Sequence, residues 1–327
     1  MYMSRQTRGI GLVLGSAASN QTGAALGAMA FPTLTPVGVV AVRQIVTAVA
    51  LMATIRPRVR GLTRRQWLPI IGLAVVFGVM NLGLYSAVDR IGLGLAVTLE
   101  FLGPLTIAVC GARGTVSVGC ALTAALGVVT LTRPGPTTDY VGIGFALIAA
   151  LSWACYILLN RSVGRLVPGV QGSALAGLVA AGVWMPIAIG WLLTRRPTVT
   201  ALVLAALCGV LSSIVPYVTD LTALRWIPAH LFGMLTSINP VWAALIGVIV
   251  LGQGLEVFEW IGIGLIVVSN ASALVAHRGA DAGDDHQDDR RQPQGTGRLA
   301  EQHPAGDGGD DRLETEQHSE HVPRQTA

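Results

Sequence analysis

Apolar residues fill the first 276 positions in ten long runs separated by short polar or turn-forming segments. The runs cover about residues 9–30, 36–55, 67–88, 91–111, 114–132, 140–160, 170–194, 198–224, 228–251 and 257–276. A helix rises about 1.5 Å per residue and the hydrocarbon core is about 30 Å thick, so each run predicts a membrane-crossing helix. The first run is of span length and others follow it, so it reads as a membrane helix rather than a cleavable leader. In it Gly11, Gly15, Ser19, Gly23 and Gly27 recur at every fourth position, a stripe on which another helix can pack closely. The stretch RPGPTTD at 133–139, rich in proline and turn formers, reads as a connector.

The pattern repeats. GIGLVLGSAAS at 9–19 matches GIGFALIAALS at 142–152 at six of eleven positions. An offset of 136 lays Ala87 on Ala223, Ile91 on Ile227, Leu99 on Leu235 and Pro104 on Pro240. Two halves of five spans follow, residues 9–132 and 142–276 joined by a linker at 133–141. An odd number of spans per half inserts the second half upside down, with a central site between the halves. The fold class is therefore all-α and polytopic, ten transmembrane helices as two inverted five-helix repeats.

Composition agrees: of 327 residues 52% are hydrophobic and 12% charged, and the mean hydropathy is +0.60. The net charge of +4 conceals an asymmetry. Sixteen arginines face six acids up to Ala276, whereas six face twelve from His277 onward. Nucleic-acid binding is not implied. The tail at 277–327 has too few large apolar residues to bury a core and is expected to be disordered, acidic and cytoplasmic. Its histidines, His277, His286, His303, His318 and His321, are irregularly spaced and fit a solvated tail better than a metal site. Residues 1–8 form a short cytoplasmic N-terminus. With that end inside, Arg5, Arg8, Arg56, Arg58, Arg60, Arg64, Arg65, Arg113, Arg161, Arg165, Arg225 and Arg278 lie inside, and Arg90, Arg133, Arg195 and Arg196 outside. That bias predicts both termini in the cytoplasm. The loop IRPRVRGLTRR carries the strongest share of it, with a lipid-headgroup site as the functional alternative. Cys110, Cys120, Cys155 and Cys208 sit in apolar runs without metal-ligand spacing and read as packed thiols.

Chemistry concentrates in LEFLGPL at 99–105. Pro104 cannot donate to the carbonyl four residues back, which belongs to Glu100, so a carboxyl and a free backbone acceptor meet inside a span. An ionisable group there points to a substrate or proton pathway, with a helix kink and a structural ion pair as the plain alternative. Pro240 frees the carbonyl of Thr236 in the same way. Glu100 overlays Thr236 and Gly103 overlays Asn239, so one dominant titrating carboxyl is expected. Arg43 lies roughly 10 Å into the second span and needs a partner or a wet cavity. Its planar fork suits a carboxylate. Trp153, Tyr156 and Tyr217 are candidate cavity walls, though aromatics in spans are more often packing or interface anchors. His230 is a candidate proton relay, with an interfacial histidine as the alternative.

AVRQIVTAVAL, LEFLGPL, LSWACYILLNR and LRWIPAHLFGMLTSINPVWAALIGVIVLGQ together resemble the EamA domains of the drug/metabolite transporter superfamily, over about residues 9–276. LEFLGPL before a short arginine-containing loop, with WACYILLNR in the second half, is most similar to the threonine/homoserine exporter branch. The resemblance assigns Arg43 to the second-helix arginine, Glu100 and Pro104 to the fourth-helix motif, and Pro240 to the ninth-helix proline. Two departures stand out. Asn239 occupies a place where an acid is frequent, and Asp220 follows Pro216 and Tyr217 where the branch tends to carry a glutamate.

The expected function is proton-coupled export of small amino acids or related metabolites, with a small-molecule substrate, protons and the bilayer as partners and a homodimer as a compatible assembly. No cofactor or metal is expected. Export of drugs or hydrophobic metabolites is the alternative within transport. A non-transporting subunit or an intramembrane enzyme is the alternative outside it. No HExxH, GxSxG or GxxxxGK[ST] motif supports an enzyme or ATP coupling.

Overall fold

In the computed structural model the described residues are 5–55, 57, 61–111, 115–132, 138–167, 171–195, 197–227 and 229–272. The acidic tail, most of the linker, Arg56, Arg58, Arg60, Arg113 and Arg133, and the side chain of His230 lie outside them. Among the described residues all regular structure is helical, and each of the ten apolar runs is helical over most of its length. The first half holds α1 (Arg5–Met29), α2 (Phe31–Thr54), α3 (Arg64–Ile91), α4 (Leu93–Glu100), α5 (Leu102–Gly111) and α6 (Thr115–Thr132). The second holds α7 (Tyr140–Leu166), α8 (Gln171–Arg195), α9 (Val199–Gly209), a π-helical turn at Val210–Ile214, α10 (Val215–Ala223), α11 (Ala229–Thr236), α12 (Asn239–Leu251) and α13 (Val257–Ser272). By length and apolarity, α2, α3, α7, α8 and the stretch Val199–Asp220 can each cross a membrane. Shorter apolar helices account for Leu93–Ile107, Val118–Leu131, α12 and α13.

The matched prolines divide their runs at matched places. The first run turns at Phe101, between α4 and α5, and the second between Thr236 and Asn239. The run over residues 198–224 is interrupted as well, by the π turn ahead of Pro216, which the sequence pattern does not show. In α2 the backbone kinks at Thr35 (φ +53°, ψ 167°), so regular helix starts at Pro36.

Helices of one half pack mainly on helices of the other. α3 lies along α7, α2 along α8, α4 along α12, and α1 along α9, the π turn, α10 and α12. A Cβ on Gly9 would sit 2.6 Å from Ile227 Cγ2, and one on Gly142 the same 2.6 Å from Ile91 Cγ2. Only part of the α1 stripe is used: Gly23 packs against Ser212 and Leu211, and Gly27 against Cys208, Tyr85 and Val39, whereas Gly11 and Gly15 have no described atom within 4 Å of a built Cβ. The closest approach to backbone is at Gly103, where a Cβ would run into the carbonyl oxygen of Ala150 on α7. Large apolar side chains such as Leu151 and Ile249 are exposed on the outside, as helices facing hydrocarbon require.

Polar caps fix the helix ends. Thr63 and Gln66 form a capping box on α3, and Gln66 Nε2 donates to the Leu166 carbonyl at 2.9 Å, tying α3 to the end of α7. Asp139 caps α7 by accepting from Gly142 N at 2.8 Å and pairs with Arg90 at 3.0 Å. All four cysteines are free thiols.

Gly103→Ala is expected to cost about 1–3 kcal/mol by forcing α5 off α7, read as a lower unfolding midpoint in detergent. The Gly142 backbone N–H, and after it Arg90, hold the Asp139 carboxyl below its ordinary value of 3.8. A depressed acid stabilises the folded state above its unfolded value, so Asp139→Ala is expected to lower the midpoint at pH 7. That deficit fades as pH falls below about 4 and through the depressed folded value. A deficit constant from pH 7 to pH 3 contradicts this assignment.

Candidate functional site

Between the halves lies a cavity of about 630 Å³. Glu100, Arg43, Thr236, Trp153, Tyr156 and Asp220 all line it, as does Pro104. Tyr217 is not among its lining residues, and Pro240 is buried behind them.

Arg43 is held by groups without formal charge. Its Nη1 donates to Asn81 Oδ1 at 2.6 Å and to the Tyr85 hydroxyl at 3.2 Å, Nε to Ser213 Oγ at 3.3 Å, and Nη2 to the Ser212 carbonyl at 3.2 Å. The guanidinium also lies 5.6 Å from the centre of the Tyr85 ring. Its Ser212 partner has a covalent cause. Pro216 lies four residues beyond Ser212 and has no N–H to offer, so that carbonyl is open to the arginine. The preceding π turn brings Ser212 Oγ onto the Asn20 carbonyl at 2.7 Å, which locks α1 to the same place. Of five guanidinium donors one Nη2–H remains, so the expected two-pronged grip on a carboxylate is already largely occupied by protein.

Glu100 ends α4, and its side chain is 5% exposed and faces the cavity. Among the described residues no group hydrogen-bonds its carboxyl, and the one ion pair within 4 Å joins Arg90 to Asp139. Glu100 and Arg43 interact through space without contact. In this structure the two side chains form no ion pair within 4 Å.

At the second break the carbonyl released by Pro240 is taken. Asn239 Nδ2 donates to the Thr236 carbonyl at 2.9 Å, and Gln21 Nε2 on α1 donates to Asn239 Oδ1 at 3.3 Å. Gly103, the counterpart of Asn239, has no side chain to repeat this, and its space belongs to α7. Trp153 meets Phe101 edge to face at 4.7 Å, and Tyr156 lies 6.0 Å from Phe77, so both aromatics pack as well as line. Asp220 Oδ1 is buried with no hydrogen bond.

Sequence reasoning missed Asn20, Gln21, Asn81, Tyr85, Ser212 and Asn270 of the lining. Asn20, Gln21 and Asn81 are uncharged amides within apolar runs, a signal that lay in plain view. The role of Ser212 was readable from Pro216 by the same count of four that singles out Glu100 and Thr236.

The EamA-like transporter family matches residues 140–274. The threonine/homoserine exporter RhtA of Escherichia coli (strain K12) is 31% identical over 270 residues, 82% of this chain and 91% of that protein. The protein of the same name from Salmonella typhimurium (strain SL1344) is 32% identical over 264 residues, 80% and 89% of the two chains. The uncharacterized transporter YwfM of Bacillus subtilis (strain 168) is 30% identical over 142 residues, 41% of this chain and 47% of that one. A solved structure 22% identical superposes with a TM-score of 0.55 over 82% of this chain and 98% of its own, which shows a shared fold. With the described regular structure all helical, a cavity lined by both charged and apolar side chains between the halves, and relatives aligned over most of their length, this chain belongs to the EamA-like transporter family, on the branch of the RhtA exporters, as a multi-pass membrane transporter of the drug/metabolite superfamily.

Proposed function

We propose that the protein exports small zwitterionic amino acids of the threonine and homoserine type across the bacterial cytoplasmic membrane in exchange for protons. The observation that carries this reading is a buried carboxyl, Glu100, with no hydrogen-bond partner among the described residues, on the same cavity as a fixed positive charge, Arg43. An ionised Glu100 receives the substrate ammonium, and a proton replaces it when the cavity faces outward. Arg43 acts as an anchored charge that draws the substrate carboxylate to its remaining Nη2–H. The names of the RhtA relatives support the substrate class.

Ten spans with both termini inside and two inverted halves complete the proposal. The packing supports the duplication: exchanging the halves turns α3 on α7 into α9–α10 on α1, α1 on α12 into α7 on α5, and α2 on α9 into α8 on α3, and all six contacts occur. The equal close approaches of Gly9 to Ile227 and Gly142 to Ile91 belong to the same exchange. Rocking of one half against the other about the two helix breaks then alternates access. The wall of Phe101, Trp153 and Tyr156 favours a second reading, export of larger apolar cations that need Glu100 but not Arg43.

Efflux of radiolabelled threonine and homoserine from loaded cells under an imposed proton gradient tests the proposal. Gradient-driven efflux above empty-vector cells, falling at least about tenfold in Glu100→Gln at equal protein level, is the expected result. Efflux equal to the empty vector overturns the substrate class, and retained proton-driven efflux in the variant removes Glu100 from coupling. Pro216→Ala restores an N–H that competes for the Ser212 carbonyl and weakens a charge-assisted bond worth about 1.5–3 kcal/mol. Threonine affinity is expected to fall about tenfold. Unchanged affinity means that this carbonyl does not position Arg43.

A further inference from the structure

We infer that Gln21, held by Asn239 beside the second helix break, forms a subsite for the side-chain hydroxyl of the substrate; the inference rests on the amino-acid export reading. Threonine and homoserine share a third polar group beyond the ammonium and carboxylate, and Arg43 and Glu100 leave it unaddressed. Gln21 lines the cavity although its side chain is only 2% exposed.

A chain of hydrogen bonds sets the orientation of its amide. The Thr236 carbonyl can only accept, so Asn239 must turn its NH₂ toward it and its Oδ1 away. Asn239 Oδ1 can in turn only accept, so the Gln21 NH₂ points to it. The Gln21 carboxamide oxygen is thereby turned elsewhere, and among the described residues no group donates to it. One Nε2–H is likewise uncommitted. A buried carboxamide in that state costs free energy unless the cavity's occupant answers it.

An adjacent neutral acceptor and donor match a hydroxyl, which gives one hydrogen and accepts another. Gln21 stands on α1, Arg43 on α2 and Glu100 on α4, so a hydroxy amino acid meets a separate helix with each of its polar groups. Valine has the shape of threonine with a methyl in place of the hydroxyl, and it leaves Gln21 unanswered. A site built to hydrogen-bond a hydroxyl rejects such an analogue strongly.

The test is counterflow of radiolabelled threonine in proteoliposomes of the full chain, competed with unlabelled threonine, valine and O-methylthreonine, in wild type and Gln21→Met. Wild type is expected to prefer threonine over valine by at least about tenfold, and Gln21→Met to bring the ratio near one while valine still competes. Wild-type competition by O-methylthreonine, which lacks the hydroxyl hydrogen, is expected to be weak, and this arm needs no variant. A preference that persists in Gln21→Met, or O-methylthreonine competing as well as threonine, overturns the hydroxyl subsite and leaves the export reading standing. Wild type that shows no threonine counterflow overturns both.

Discussion

A proline inside a membrane helix removes one N–H from the ladder, and the carbonyl four residues back must then find a donor within the protein or the cavity, because hydrocarbon offers none. Three such carbonyls surround this cavity, and each meets a different fate. The Thr236 carbonyl, opened by Pro240, is closed by the Asn239 side chain. The Ser212 carbonyl, opened by Pro216, accepts from Arg43. The Glu100 carbonyl, opened by Pro104, sits at the end of α4 beside a carboxyl that no described group holds. One deficiency of the backbone thus produces a sealed break, an anchored cation and an open site.

The proposed duplication supplies the frame in which these differences count. Gly9 beneath Ile227 and Gly142 beneath Ile91 are the same contact made twice, and they hold α1 and α7 in equivalent places. Within the frame, position 103 is glycine because the Ala150 carbonyl fills its space, whereas position 239 is free to carry an amide. The cavity therefore has unlike walls. An uncharged amide relay from α1 to α12 faces one corner, and the charges on α2 and α4 face others.

The ten apolar runs, the prolines and the two interior charges were legible because each depends on covalent facts or on depth in hydrocarbon. Glu100, Arg43, Trp153, Tyr156, Thr236 and Asp220 share one cavity, and the cost of burying polar groups explains why they stand out in an apolar sequence. The hold on Arg43 was not legible, since Asn81, Tyr85, Ser212 and Ser213 come from two other helices. No spacing rule connects residues 43, 81 and 212 before the helices are packed. The aromatic Tyr217 looked equivalent to Tyr156, but Pro216 and Asp220 are the residues of α10 that line the cavity.

Charge economy follows from the same geometry. Arg43 keeps its charge at every physiological pH, and its four protein contacts make that charge part of the wall rather than a gripping arm. Besides the charge of Arg43 the cavity carries the carboxyl groups of Glu100 and Asp220, and in the proposed scheme Glu100 is the one that changes charge. With Glu100 ionised, the pair presents a separated plus and minus that a zwitterion can match end to end. With Glu100 protonated, the charge of Arg43 loses that partner, and it repels an ammonium while still attracting a carboxylate. The proposed exchange of proton for substrate needs that contrast, and it fails if the two side chains touch, because a closed ion pair would leave neither charge available. The carboxamide of Gln21 does not change with pH, so in the same scheme it distinguishes substrates without entering the coupling.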